Sequence, residues 1–462
     1  MQTPIGTGQT SQGPFANDPH RPQYHFLPPA NWMNDPNGLI YWKEKYHVFY
    51  QHNPHAASWG TMHWGHAVSA DLLRWTHQPI ALAPTPGGPD KDGCFSGCAV
   101  DNDGVPTLIY TGVQPEVQCV ATSADDMRTW QKHAGNPVLA GPPPGLAVTG
   151  FRDPCVWREG AAWLMLIGSG IQGVGGAALL YTSPDLLHWE YQHPLCIGDK
   201  DQTGPMWECP DFFPLGDKYV LLVSPIGTSA VFTFVGTYAN RKFIPETQDR
   251  ADLGQHFYAA KSMADGSGRR LLWGWSWEGR SEAAQRAAGW AGVLSLPRVL
   301  TLAENKTLRF TPAPELQALR GAHYSDLSAA QGDSLEILAE IAPGDAEAFG
   351  LKVRCAPDGN EETVILYDRA AQRLSVDRER SSLAPEVNRD PQGGAFALAA
   401  GENLRLHVFL DRSIVEVYAN GRACLTTRIY PSRADSLGLD LFARGGSARL
   451  QSVDVWRIEP PS

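Results

Sequence analysis

Along the first 300 positions, apolar and aromatic residues fall in short runs bounded by Gly, Pro, Asp and Asn. Helical periodicity is scarce before residue 310, so the pattern predicts strands. Five runs are evenly placed. Tyr46–Tyr50, Pro106–Tyr110, Trp163–Ile167, Tyr219–Val223 and Arg270–Gly274 centre on Val48, Leu108, Met165, Leu221 and Leu272, with successive centres 51 to 60 residues apart. Three of them are followed by an echo: Ser69-Ala-Asp-Leu-Leu-Arg-Trp75, Ser123-Ala-Asp-Asp-Met-Arg-Thr-Trp130 and Ser183-Pro-Asp-Leu-Leu-His-Trp189. Ahead of each centre stands a segment dense in polar or aromatic groups: Asn34-Asp35, Phe95-Ser96, Arg152-Asp153, Glu208-Cys209 and Phe257-Tyr258. Such a period fits one four-stranded unit per repeat, and five units predict a five-bladed β-propeller. In that arrangement the polar segments occupy matching inner strands, and three carboxylates converge on one central pocket.

The pattern changes near residue 325. Leu404–Leu410 and Ile414–Tyr418 flank Asp411-Arg-Ser413, and Asn420-Gly421 follows, which predicts a hairpin, a tight turn and an all-β second unit of β-sandwich type. Pro312 to Arg320 reads as a short linking helix with Glu315, Leu316 and Leu319 free to dock. The expected division is a flexible tail over 1–22, a propeller over 23–310, a linker over 311–324 and a sandwich over 325–462. The charged run Asp377-Arg-Glu-Arg380 is expected to be a solvated face.

Length and composition narrow the function. A chain of 462 residues exceeds what one core serves well, in keeping with two domains. With 38 basic against 49 acidic side chains and no Lys/Arg cluster, nucleic acid is not an expected partner. No apolar run is long enough for a membrane span, and residues 1 to 22 lack a secretory apolar core, so a cytoplasmic protein is expected. The eight cysteines are irregularly spaced and read mainly as buried free thiols. His52, His55, His63 and His66 crowd one stretch without a helical metal motif, so neither metal nor cofactor is assigned. Nothing in the sequence speaks to oligomeric state.

The candidate chemistry lies in three carboxylates. Asp35 stands in Trp32-Met-Asn-Asp-Pro-Asn-Gly38, where Pro36 and the following Asn-Gly predict a rigid bend. Taken alone, that segment reads equally as an Asx turn. Asp153 stands in Phe151-Arg-Asp-Pro154, where Arg152-Asp153 could be a surface ion pair. Glu208 stands in Trp207-Glu-Cys-Pro-Asp211; apolar neighbours and nearby carboxylates there would raise its pKa, although a buried glutamate can also be a structural ion-pair partner. Matching places in the repeat favour a common site.

These three motifs, in this order, resemble the signature of the invertase family, glycoside hydrolase family 32. The likeness extends over nearly the whole chain, through Phe49-Tyr-Gln-His-Asn-Pro54, Phe95-Ser-Gly97, Phe257-Tyr-Ala-Ala260, Leu294-Ser-Leu-Pro-Arg298 and Asp411-Arg-Ser-Ile-Val-Glu-Val-Tyr418. It implies a propeller followed by a sandwich and a retaining β-fructofuranosidase acting on sucrose or short fructooligosaccharides. A fructosyltransferase using the same intermediate, or a non-catalytic carbohydrate-binding propeller, stays open. By resemblance Asp35 is the nucleophile, Asp153 the transition-state stabiliser and Glu208 the acid/base. Asn34, Gln51, Trp59, Phe95, Ser96, Arg152, Tyr258 and Trp275 are implied to line the fructose pocket, with Cys209 shaping the surroundings of Glu208.

Overall fold

Each evenly spaced apolar run becomes the strand that pairs with a polar segment. Lys45–Asn53, Val105–Gly112, Ala162–Ile171, Lys218–Pro225 and Arg270–Ser276 pair antiparallel with Asn31–Trp42, Cys94–Asn102, Val148–Glu159, Trp207–Leu215 and Tyr258–Ala264, in five separate sheets. This computed structural model describes residue 15 and residues 17–461, and among them helix is confined to short pieces such as Lys200–Thr203 and Glu282–Ala288. No helix is long and apolar enough to cross a membrane. Most of the expected 1–22 tail lies outside the described residues, but its end is held: Arg412 donates to the Asp18 carbonyl at 2.6 Å, and the Ser413 hydroxyl to that of His20.

The three echoes are turns joining the third and fourth strands of their sheets. Ser69 Oγ accepts from the Asp71 amide, and Asp71 Oδ1 accepts from Leu73 and Arg74 at 3.0 and 2.8 Å. Leu72, Met127 and Leu186 all take a φ of 66 to 69° within these turns. Side-chain oxygens that satisfy the turn amides explain why Ser and Asp recur there.

The polar segments lie on five strands that meet in cyclic order, Asn31–Trp42 against Cys94–Asn102 and so on round to Tyr258–Ala264, which returns to Asn31–Trp42. Trp290–Ala291 joins the first sheet in parallel, Asn31 opposite Trp290 and Trp32 opposite Ala291, so chain from both ends of the series closes one sheet. The core lies between neighbouring sheets, where Trp64, Trp207 and Trp273 are fully buried.

All five inner strands slip register at their polar segments, at Asn34-Asp35, Ser96, Asp153-Pro154, Cys209-Pro210 and Ala259-Ala260, and Asn31–Trp42 and Val148–Glu159 each slip a second time. A bulge bends a strand and re-aims its side chains, and it is one of the few places in a sheet that admits proline. The tight turn expected at Asn34–Gly38 is therefore a correction: that segment is continuous strand with two bulges, because pairing with Lys45–Asn53 on either side of the bulges overrides its local turn chemistry.

The second unit is a six-stranded and a five-stranded sheet facing each other across an apolar core that includes Leu335, Ile337, Phe349, Ile365 and Val408. The expected hairpin forms from Leu404–Asp411 and Ile414–Ala419, and Asn420 and Gly421 both take positive φ in the next turn. The stretch 311–324 holds the end of strand Leu308–Pro312, a 3-10 turn at Pro314–Leu319 and strand Arg320–Tyr324, which pairs with Arg449–Ile458. Glu315 pairs with Arg269 at 2.6 Å, while Leu316 and Leu319 are buried.

The solvated face expected at Asp377–Arg380 holds for Glu379 and Arg380, which are exposed, and is corrected at Arg378. Arg378 is fully buried, donating to the carbonyls of Asp390 and Arg428 and to Asn388 Oδ1. Those acceptors offset the loss of water around the guanidinium.

Between the units, fully buried Arg298 donates to Asp252 at 2.8 Å, Glu416 at 2.9 Å and Thr426 at 2.6 Å. Asp411 accepts from the amides of Gln23, Tyr24 and His25, and His25 lies between Asp411 and Glu416. All eight cysteines are free thiols, six of them buried.

Candidate active site

Four of the five bulges turn one set of side chains toward each other. Asp35 Oδ2 accepts from Ser96 Oγ at 2.5 Å and Oδ1 from Asn34 Nδ2 at 3.0 Å, while Trp32 Nε1 holds Asn34 Oδ1 at 2.8 Å. Cys209 links two acids: its thiol lies 3.4 Å from Asp35 Oδ2 and 3.6 Å from Asp153 Oδ2, and its amide donates to Asp153 Oδ2 at 2.9 Å. Asp153 and Cys209 both sit at positive φ, 63° and 49°, within their bulges. Cys209 thus borders Asp35 and Asp153 most directly, although the sequence pointed to Glu208. Burial pushes the Asp153 carboxyl up to about 7, Arg152 opposing and the charges of Glu208 and Asp35 adding to the rise. Burial pushes the Cys209 thiol well up as well, which keeps it a weak donor and not a thiolate.

One residue earlier on the strands, a second set forms. Arg152 donates to Glu208 Oε1 from Nε at 3.0 Å and Nη2 at 2.9 Å, and Tyr258 OH donates to Oε2 at 2.7 Å. Burial raises the Glu208 pKa against the opposing pull of Arg152 and the Tyr258 hydrogen bond, with the Asp35 charge adding to the rise. A carboxyl so placed keeps its proton to higher pH than a free glutamate, as a proton donor to a leaving oxygen requires.

The remaining candidates divide. Phe95 lies edge-on to Trp59 with centroids 6.4 Å apart, and Trp59 is 62% exposed. Trp275 packs against Trp32 at 5.7 Å and lines a cavity of about 510 Å3 beside Glu208 and Tyr258. Gln51 is 1% exposed and gives its amide to the Cys94 carbonyl at 3.0 Å, which braces the first sheet against the second. The crowded histidines make local contacts: His52 bonds the Trp32 carbonyl, His66 bonds His47 and His55 lies edge-on to His63.

Two participants carried no sequence signal. Glu116, in an undistinguished turn, takes Arg152 Nη1 on one oxygen and the Phe151 amide on the other, both at 2.6 Å, and so sets the guanidinium against Glu208. Lys261 is buried and donates to the Pro210 carbonyl at 2.7 Å, a cation placed directly behind the Cys209-Pro210 bulge. Its position next to Phe257–Ala260 was the only available hint.

Comparison with known proteins finds relatives along nearly the whole chain. Residues 25–312 match the Glycosyl hydrolases family 32 N-terminal domain, and residues 302–457 match the Glycosyl hydrolases family 32 C terminal domain. Sucrose-6-phosphate hydrolase of Zymomonas mobilis subsp. mobilis is 38% identical, the match covering 95% of this chain and 92% of that one. Raffinose invertase of Escherichia coli is 36% identical, with 95% of each covered. The crystal structure of fructan 1-exohydrolase IIa from Cichorium intybus superposes with a TM-score of 0.87 at 29% identity, covering 96% of this chain and 98% of that one. With both family domains matched in order and three acids gathered from three sheets, the chain belongs to glycosyl hydrolase family 32.

Proposed function

We propose that this chain is a retaining β-fructofuranosidase that releases terminal fructose from sucrose or short fructooligosaccharides. The observation that carries the reading is the gathering of three carboxylates: Cys209 spans Asp35 and Asp153, and Glu208 stands in the adjoining layer with Arg152 and Tyr258. In the first step Asp35 attacks the anomeric carbon of the fructosyl unit while Glu208 gives its proton to the departing oxygen, leaving a fructosyl ester. In the second, Glu208 takes a proton from water, whose oxygen displaces Asp35 and frees fructose. Asp153 faces the positive charge that develops at the ring in both steps. Ser96 and Asn34 steady the nucleophile, and Phe95, Trp59 and Trp275 offer faces to the C–H surface of the sugar. The cyclic meeting of five inner strands supports a five-bladed propeller over 23–310, and the two facing sheets a sandwich over 325–462.

The test is Asp35→Asn and Glu208→Gln, each checked for native circular dichroism. Each should lower kcat on sucrose by about a hundredfold or more. Glu208→Gln should lose less on a fructoside with a good leaving group; near-normal turnover by either folded variant rejects its role.

A further inference from the structure

We infer, on the basis of that reading, that the leaving-group side of this site is built for an uncharged sugar stacked on Trp277, so that the chain selects non-phosphorylated fructosides over the 6-phosphate of sucrose. The leaving oxygen takes its proton from Glu208, so the departing unit must lie on the Glu208 side, where the cavity of about 510 Å3 opens. Beyond Glu208, Tyr258 and Trp275, that cavity is lined by Ile226, Thr228, Ser229, Gln255 and Trp277 and the intervening Gly227. Among the described residues none of its lining is Lys, Arg or His.

A phosphate ester carries nearly two negative charges at neutral pH and binds well only where cations or converging amides meet it. Here it would face the Glu208 carboxyl instead. The guanidinium nearest that carboxyl, Arg152, is already paired with both Glu116 and Glu208. The chain as a whole carries a formal charge of −11, which adds to the repulsion.

What the cavity offers suits a neutral pyranose or furanose. Ile226 and Trp277 are 39% and 36% exposed there, large apolar faces set among neutral hydrogen-bonding groups. Trp277 is also fixed in place. Its Nε1 donates to the Gln255 carbonyl at 2.6 Å, and the Gln255 amide donates to Gln392 Oε1 of the second unit at 2.9 Å. Buried Arg428, also of the second unit, donates to the Ser276 and Trp277 carbonyls at 3.3 and 3.4 Å. The wall that meets the departing sugar is therefore held from behind by the sandwich side of the molecule.

The experiment compares kcat/KM of the full chain on sucrose and on sucrose 6-phosphate in one buffer. Sucrose should win by about tenfold or more, the scale of a lost charge-assisted contact. Equal or faster turnover of the phosphate overturns the inference while leaving the catalytic reading intact; turnover of neither overturns the catalytic reading. Ser229→Lys should shift the phosphate-to-sucrose ratio toward the phosphate by about tenfold, and an unchanged ratio counts against the inference. Trp277→Ala should lose about tenfold more kcat/KM on sucrose, mainly through KM, than on methyl β-fructofuranoside, whose leaving group cannot reach the ring. Trp277→Phe should recover part of the difference. Equal losses on both substrates, or no recovery by Phe, would reject stacking.

Discussion

Asp153 holds a costly buried charge. The residue is 3% exposed, and its pKa is pushed from 3.8 up to about 7, burial being the largest cause. The sign follows from linkage: the fold favours the protonated acid, so this contribution to stability is complete below about pH 4 and is lost as pH rises through about 7. Asp153→Asn keeps the shape and an acceptor for the Cys209 amide but removes the charge. Its Tm should exceed that of the unaltered chain by a few degrees at pH 8, the gap closing toward pH 4, while kcat falls by about a hundredfold or more. A variant that melts lower at pH 8 would show that the ionised carboxylate stabilises the fold. The acids themselves were legible because each sits in an unusual motif at a matching repeat position. Their partners were not: Glu116 and Lys261 act through long-range hydrogen bonds, and no local pattern announces a contact made 35, 36 or 51 positions away.

The strands were readable from their apolar runs, and the hairpin from its alternation, but the bulges that aim the chemistry were not. Asn34–Gly38 has the composition of a turn, and only its pairing with Lys45–Asn53 makes it a strand. Helix Glu282–Ala288 escaped notice for a related reason. It is only seven residues long, although Ser281 caps it through the Ala284 amide and Gly289 ends it in the left-handed region. The Ser96 bulge offers a test. A Cβ at Gly97 would collide with the Ile109 carbonyl and with Tyr110 on the next strand. Gly97→Ala should therefore push strand Cys94–Asn102 away from its partner, draw Ser96 from Asp35 and lower kcat by about tenfold or more, the cost of a lost contact to a charged group. Native-like turnover with a crystal structure showing Ser96 still bonded to Asp35 would reject that coupling.

The division into two all-β parts was visible in the change of pattern near residue 325, whereas the charges that cross between them were not, since Arg298, Asp252 and Glu416 are far apart in sequence. Arg298 and both carboxylates are at most 1% exposed at their side chains. Removing the cation leaves buried Asp252 without a counter-charge and Glu416 with His25 alone, so Arg298→Met should cost about 3–5 kcal/mol in urea unfolding; a loss below about 1 kcal/mol would mean that the remaining hydrogen bonds or water suffice. The seam of the first sheet has a further consequence. Asn31 and Trp32 find their parallel partners only in Trp290 and Ala291. During synthesis the segment bearing Asp35 leaves the ribosome early, yet its outer edge stays unpaired until the fifth sheet has been made. The strand that carries Asp35, the proposed nucleophile, is thus among the first parts of the centre to be translated and among the last to be fully paired, and a nascent chain arrested before residue 290 would expose the open edge at Asn31–Trp32 to chaperones and to other chains.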